Sequence, residues 1–266
     1  VIHPTAIVHS GARIGNNVDI GPYTIVEEDV EIGNGCEIGP HVLIASGTRM
    51  GQSCRIFKGA SVGTVPQDLK FGGEKTTLRI GDHTVIREFC TLNRGTKATG
   101  ETRLGSHCLL MAYCHVAHDC HVGDHFIAAN VTNLAGHVTI GNYVRAGGNA
   151  SIIQFLSIGD YSFLGAHSLI NKDVVPFALV APEPLRIANI NKVGLERAGF
   201  GEERRREIKR AYKVLFRSGL PLAEALSRLE MDWAGNADVA SIIALARASK
   251  RGLIEMGQFA SEADER

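Results

Sequence analysis

The chain has 266 residues, 44% hydrophobic and 21% charged, with 28 basic side chains against 28 acidic ones. A formal net charge of zero excludes a general electrostatic pull toward nucleic acid or an anionic membrane surface. No apolar run reaches the about 18 residues that a membrane span needs, and Ile2-His3-Pro4-Thr5 shows no secretory pattern, so a cytoplasmic protein is expected.

From the start, bulky aliphatics recur every six residues: Ile2, Val8, Ile14, Ile20, Val26, Ile32, Ile38, Ile44, Met50, Ile56 and Val62. Four residues after each comes a small or β-branched partner, as in Ala12, Val18, Thr24, Val30 and Cys36. Neither helix nor ordinary strand periodicity yields this pattern. It is a hexapeptide solenoid repeat, in which the aliphatic points into a narrow prism and the small residue fills the space beside it. The array pauses over about 64–79 and again over about 98–103, then runs from Leu104 through Val116, Leu134 and Ile152 to Ile170. All these aliphatics keep one phase modulo six, so the pauses read as loops thrown out from one continuous solenoid. Loops on a rigid scaffold commonly carry binding groups.

The six cysteines, Cys36, Cys54, Cys90, Cys108, Cys114 and Cys120, all occupy the small position. They read as buried fillers. No CxxC zinc pattern exists, and disulfides are not expected in a cytosolic protein. After Pro176 the hexads stop and a 3.6-residue period takes over. Ile208, Ala211, Tyr212 and Leu215 form one stripe; Leu222, Ala225, Leu226 and Leu229 form a second. Asn236 caps a third with Val239, Ile242, Ile243 and Ala246. The expected organisation is a parallel β-helix over 1–180 and a helical domain over 181–266, with a disordered tail from about Gly257.

Three hexads make one triangular coil, so residues 18 apart stack about 4.8 Å from one another. His118, Gly136 and Gln154 then form one column; Asp119, His137 and Phe155 form the next; His115, Asn133 and Ser151 form a third. A single histidine on such a face is more often a solvated surface residue, and His3, His9, His41, His83, His107 and His167 are read so. His115, His118, His121, His125 and His137 crowd together, which argues for a site, with His121 and His125 assigned to the surface. His118 beside Asp119 is a candidate general base with an orienting carboxylate. His115, His118 and His137 would also suit a zinc site of the γ-type carbonic anhydrase kind, and a non-catalytic scaffold is the third reading.

Several segments carry a more specific resemblance: Val65-Pro66-Gln67-Asp68-Leu69-Lys70-Phe71, Leu92-Asn93-Arg94-Gly95-Thr96, Ala117-His118-Asp119-Cys120, Leu134-Ala135-Gly136-His137-Val138 and Gly194-Leu195-Glu196-Arg197-Ala198-Gly199-Phe200. With the hexads and the helical tail in this order, the chain resembles the UDP-N-acetylglucosamine acyltransferase family over nearly its whole length. The resemblance implies a left-handed parallel β-helix with a helical C-terminal domain, assembled as a homotrimer with sites between subunits. It implies transfer of a 3-hydroxyacyl chain from acyl carrier protein to the glucosamine 3-position of a UDP-sugar, in the first step of lipid A synthesis. No cofactor or metal is implied beyond the acyl carrier protein co-substrate. By motif, His118 is the base, Asp119 its partner and the Gly136 amide the oxyanion donor. Asp68, Lys70, His115, His137 and Gln154 would bind the substrates, and Asn191 and Arg197 would reach the nucleotide from a neighbouring subunit. Ala166 falls at the family's acyl-length position, and the basic run from Arg204 to Arg217 would dock the acidic carrier. Three departures stand out: Ile153 replaces a histidine, and Glu196 and Ala198 dilute the basic charge around Arg197.

Overall fold

The computed structural model describes residues 1–257; the expected disordered tail lies almost wholly outside them. Each hexad contributes one strand, most of only two residues, followed by a turn. The strands stack into three sheets of nine, eight and ten strands, parallel throughout except for the last strand of the third, and these form the faces of a prism. Inward aliphatics such as Ile44, Leu92, Leu110, Leu134 and Ile152 are fully buried, and so are the small positions Thr24, Val30, Ala60 and all six cysteines. The cysteines are free thiols, as their filler role requires. On the first coil Ile2 is 48% exposed.

Most corners turn on a residue in the left-handed region, and few of these are glycine. Asp119 has φ 58°, His137 62° and Phe155 65°. Such a conformation costs an ordinary residue about 1–2 kcal/mol. A repeated hydrogen bond from the strained residue's own N–H to the coil before offsets it, as from His137 to His118 O (3.1 Å) and Phe155 to Gly136 O (3.2 Å). Rings at these positions also stack along the corner, as His107, His125 and Tyr143 do.

Register explains why the phase survives both loops. Along the regular stretch, partners stand 18 apart, as in His115↔Asn133 and Asn133↔Ser151. Across the first loop Arg49 pairs with Arg79, two hexads more; across the second Thr91 pairs with His115, one hexad more. The first loop occupies 65–76, between strands Ser61–Thr64 and Thr77–Ile80. The second occupies 94–100, between Thr91–Asn93 and Glu101–Leu104, and so begins earlier than the expected Ala98. Glu101–Arg103 is strand because the coil closes as soon as the loop returns.

The expected boundary at residue 180 falls inside a strand. Ala178–Pro182 continues the ten-stranded sheet, and Leu185–Ile190 folds back antiparallel on it. Pro182 and Pro184 therefore mark a hairpin turn. The three expected helices are present as α2 (Glu202–Arg217), α3 (Leu222–Asp232) and α4 (Ala237–Ala248), preceded by a short α1 (Lys192–Arg197) that the periodicity does not separate. Asn236 caps α4 by accepting from Asp238 and Val239 N–H. Tyr212 is buried with its hydroxyl on Pro176 O, and the chain returns at Gly252–Ile254 to bond Asp173. The helices thereby close the end of the prism.

Because strand side chains alternate faces, a one-residue slip turns the core outward. Deleting residues 65–76, two whole hexads, is expected to leave a cooperatively melting β-helix. Deleting 65–75 is expected to abolish cooperative melting, as followed by circular dichroism.

Candidate active site at one corner of the prism

The turn Ala117–Cys120 links the nine-stranded to the eight-stranded sheet, at a corner shared with both loops. His118 Nδ1 lies 2.7 Å from Asp119 Oδ2. The Cε1–Nε2 edge of the ring lies over Gly136, where a Cβ would come within 2.7 and 2.9 Å of those two atoms. Only glycine leaves room for the imidazole there. Among the described residues no acceptor takes the Gly136 N–H, which leaves it available beside the ring. His137 sits edge-on to His118, with ring centroids 5.2 Å apart, and stacks on Phe155. His115, on the adjoining face, bonds Thr91 through Nδ1 at 2.7 Å. Burial pushes its pKa down, outweighing a raising contact with the Thr91 backbone, and so favours the neutral ring.

Asp119 carries a fully buried side chain. Its Oδ1 accepts from Thr96 N–H at 3.0 Å, and its Oδ2 accepts from Thr96 Oγ1 at 2.7 Å and from His118. The Thr99 hydroxyl also donates to Oδ1. Burial works to raise the carboxyl pKa, but the hydrogen bonds from Thr99, His118 and Thr96 outweigh it and hold the group at about 2. The ligating atoms of His118, Asp119 and His137 lie within 4.8 Å of one another, as a metal site requires. Two ligands of one tetrahedral zinc stand about 3.3 Å apart, however, and the 2.7 Å separation of Nδ1 and Oδ2 is a direct hydrogen bond instead.

The other sequence candidates fall on three different corners. Asp68 and Lys70 lie on the first loop, above His118, with Lys70 N–H bonded to Asp68 Oδ1 at 3.0 Å. Gln154 is exposed on the coil below Gly136. Ala166 stacks in the expected column over Gly148 and Asn130, but that column is the far corner of the nine-stranded sheet. Asn191 and Arg197 belong to the third corner, where they line a cavity of about 240 Å³ with His125, Tyr143, Arg145 and Tyr161. Asn191 is buried, capping α1 through Gly194 N–H and donating to Tyr161 O. A hexad spans roughly 20 Å when extended, so one chain does not bring Asn191, Arg197 or Ala166 to His118.

Comparison with known proteins decides the family. Residues 173–254 match the family described as UDP N-acetylglucosamine O-acyltransferase, domain 2, and residues 11–46 match the bacterial transferase hexapeptide. An acyl-[acyl-carrier-protein]--UDP-N-acetylglucosamine O-acyltransferase from Thiobacillus denitrificans is 50% identical over 254 residues, 95% of this chain and 98% of its own. Its counterpart from Alkalilimnicola ehrlichii is 52% identical over the same shares of the two chains. The structure of LpxA from Acinetobacter baumannii superimposes with a TM-score of 0.93 at 42% identity, covering 96% of this chain and 99% of that one. The chain belongs to the UDP-N-acetylglucosamine O-acyltransferase family.

Within that family frame the three departures have local explanations. Ile153 packs against the hydrophobic core, where a histidine would need a polar partner. Glu196 pairs with Arg205 at 2.9 Å and ties α1 to α2, and Ala198 ends α1. The basic run is also less free than expected. Arg204 pairs with Asp238, Arg206 with Glu203 and Arg210 with Glu207, which neutralises much of the charge on α2. Sequence reasoning assigns no role to Thr99 or Thr102, and cites Thr96 only as part of a motif. Their signal is register: across the extra hexad the position stacked over Asp119 is Gly95, and Thr96 follows it directly.

The depressed carboxyl has a stability consequence. Its contribution is fully present above the unfolded value of about 3.9 and is lost as pH falls through the folded value. The stability advantage of the natural chain over Asp119→Asn is expected to shrink from pH 4 toward pH 2, measured by urea unfolding at each pH.

Proposed function

We propose that this chain catalyses transfer of a 3-hydroxyacyl group from acyl carrier protein to the glucosamine 3-position of UDP-N-acetylglucosamine or its 3-amino analogue, the first step of lipid A synthesis. The observation that carries the proposal is the His118 ring held between a buried, ionised Asp119 and the Gly136 amide. A sugar hydroxyl is a poor nucleophile and must lose its proton as it attacks the thioester carbonyl. His118 Nε2 takes that proton, while Nδ1–H stays on Asp119, which stabilises the imidazolium. The developing oxyanion is met by the Gly136 N–H, a kind of contact worth about 3–4 kcal/mol in other acyl transfers. The C–S bond then breaks, and the imidazolium returns its proton to the departing thiolate. No acyl-enzyme forms, and no side chain acts as nucleophile.

The three-corner placement supports a homotrimer whose sites lie between chains. In this reading one chain supplies His118, Asp119, Gly136, Asp68, Lys70, His115, His137 and Gln154. A neighbour supplies Asn191 and Arg197 for the nucleotide, and Ala166 walls the acyl groove. Acyl carrier protein would approach α2 through what the ion pairs leave of its positive charge. No described helix is long and apolar enough to cross a membrane.

Two outcomes test the chemistry. His118→Ala is expected to lose at least about 10²-fold in kcat while still assembling, with the acylated UDP-sugar quantified by mass spectrometry. Near-normal turnover would remove the base. At the groove wall, one methylene of fit is worth about 1–3 kcal/mol of discrimination. With a panel of acyl carrier protein thioesters, Ala166→Gly is expected to lengthen the preferred chain and Ala166→Met to shorten it. Unchanged profiles in both would place the ruler elsewhere.

A further inference from the structure

The buried carboxylate beside His118 is held by a loop that contributes no atom to the transfer steps themselves. We propose that Thr96 and Thr99 are positioning residues for the transfer, holding Asp119 as an anion aligned on His118 Nδ1 so that it orients the base without taking its proton. The proposal rests on the general-base reading of His118.

The hydrogen-bond roles at Thr96 are fully determined. Its hydroxyl has one proton, which goes to Asp119 Oδ2 at 2.7 Å, and it accepts Ala98 N–H at 3.2 Å. Its backbone N–H goes to the other carboxylate oxygen at 3.0 Å. The Thr99 hydroxyl faces two acceptors, Glu101 O at 2.9 Å and Asp119 Oδ1. A single proton shared between a neutral carbonyl and a carboxylate goes to the charge, where hydrogen bonds are roughly twice as strong. Thr102 completes the arrangement by accepting Asp119 N–H at 2.8 Å, which fixes the backbone at its left-handed turn.

With these bonds made, four donors occupy the carboxylate: Thr96 N–H, Thr96 Oγ1, Thr99 Oγ1 and His118 Nδ1. An ionised carboxylate offers about four lone-pair sites, and the three donors other than His118 stabilise its negative charge, so the proton shared with Nδ1 stays on the imidazole. Asp119 therefore balances the charge that develops on His118 and remains an anion throughout. The loop is built to keep this geometry. Gly100 N–H bonds Thr96 O at 2.8 Å, and a Cβ on Gly95 would strike the Glu101 backbone at 2.5 Å, so the loop is pinched shut. Lys97 N–H bonds Glu74 Oε1 at 3.0 Å, which braces it against the first loop.

The test compares Thr96→Val, which removes only the hydroxyl, with Thr96→Ser, which keeps it, and repeats both changes at Thr99. Each valine variant is expected to lower kcat about 10–100-fold, with KM for the UDP-sugar changed less than about threefold, because a small misplacement of a reacting group has effects of that size. Each serine variant is expected to recover most of the loss. In an Asp119→Asn background the valine changes are expected to cost almost nothing further, since residues acting as a unit are not additive. Valine variants with normal kcat, or with the same loss in both backgrounds, overturn the positioning role while leaving His118 as the base. An Asp119→Asn enzyme with full activity overturns the dyad itself, and the proposal with it.

Discussion

The constraint on which everything else depends is the coil-to-coil register. Three hexads close one turn of the prism, and each strand is too short to hold itself in place. Its hydrogen bonds go to the coils before and after, and its single inward aliphatic packs on the aliphatics of those coils. A side chain's position on the molecule is therefore a count of residues. The count also explains why both loops lengthen the chain by whole hexads. A one-residue change carried into the next strand's register would turn its core face to solvent.

Register alone does not make a site, because it places ordinary residues with the same regularity. What distinguishes the corner at His118 is a buried charge. An ionised carboxylate without partners would be expensive at that depth. Asp119 is there because the second loop supplies donors to it from above, and His118 supplies one from its own turn. The same donors hold its pKa at about 2 and leave His118 with its proton on Nδ1. A glycine one coil below gives the ring its space, and its N–H meets no acceptor among the described residues. The candidate site at this corner is thus built from three successive coils, each contributing one element.

Much of this is legible in the order of the residues alone. The six-residue period locates the core, the small positions, the cysteines and the stacked columns, because in a solenoid sequence separation maps directly onto space. Loop ends are less legible, since Glu101 to Arg103 carry no aliphatic signal until Leu104 closes the coil. The hairpin after Ala178 is hidden because Pro182 and Pro184 look like a domain linker in sequence, whereas they occupy a turn at the sheet's edge. Thr96 and Thr99 do not stand out as a clamp because their partner lies across an insertion, where the 18-residue rule fails by one hexad. On α2 the sequence shows a basic run, but the acids that neutralise it come from α1 and α4 as well as from its own turns.

The remaining feature is the separation of the candidate residues onto three corners. His118 and Asp119 occupy one, Ala166 the second, and Asn191 with Arg197 the third. A single prism holds these apart, and in the proposed trimer copies packed side by side would bring them into one cleft. The most direct test of this shared site is complementation between two inactive chains. His118→Ala and Arg197→Ala proteins would be unfolded together, refolded as a mixture, and assayed for acyl transfer to the UDP-sugar. Random closed assembly in threes would give an intact pairing at about one site in four, so roughly a quarter of natural activity should return. A mixture no more active than its parents, or an Arg197→Ala protein fully active alone, would contradict a site built from two chains.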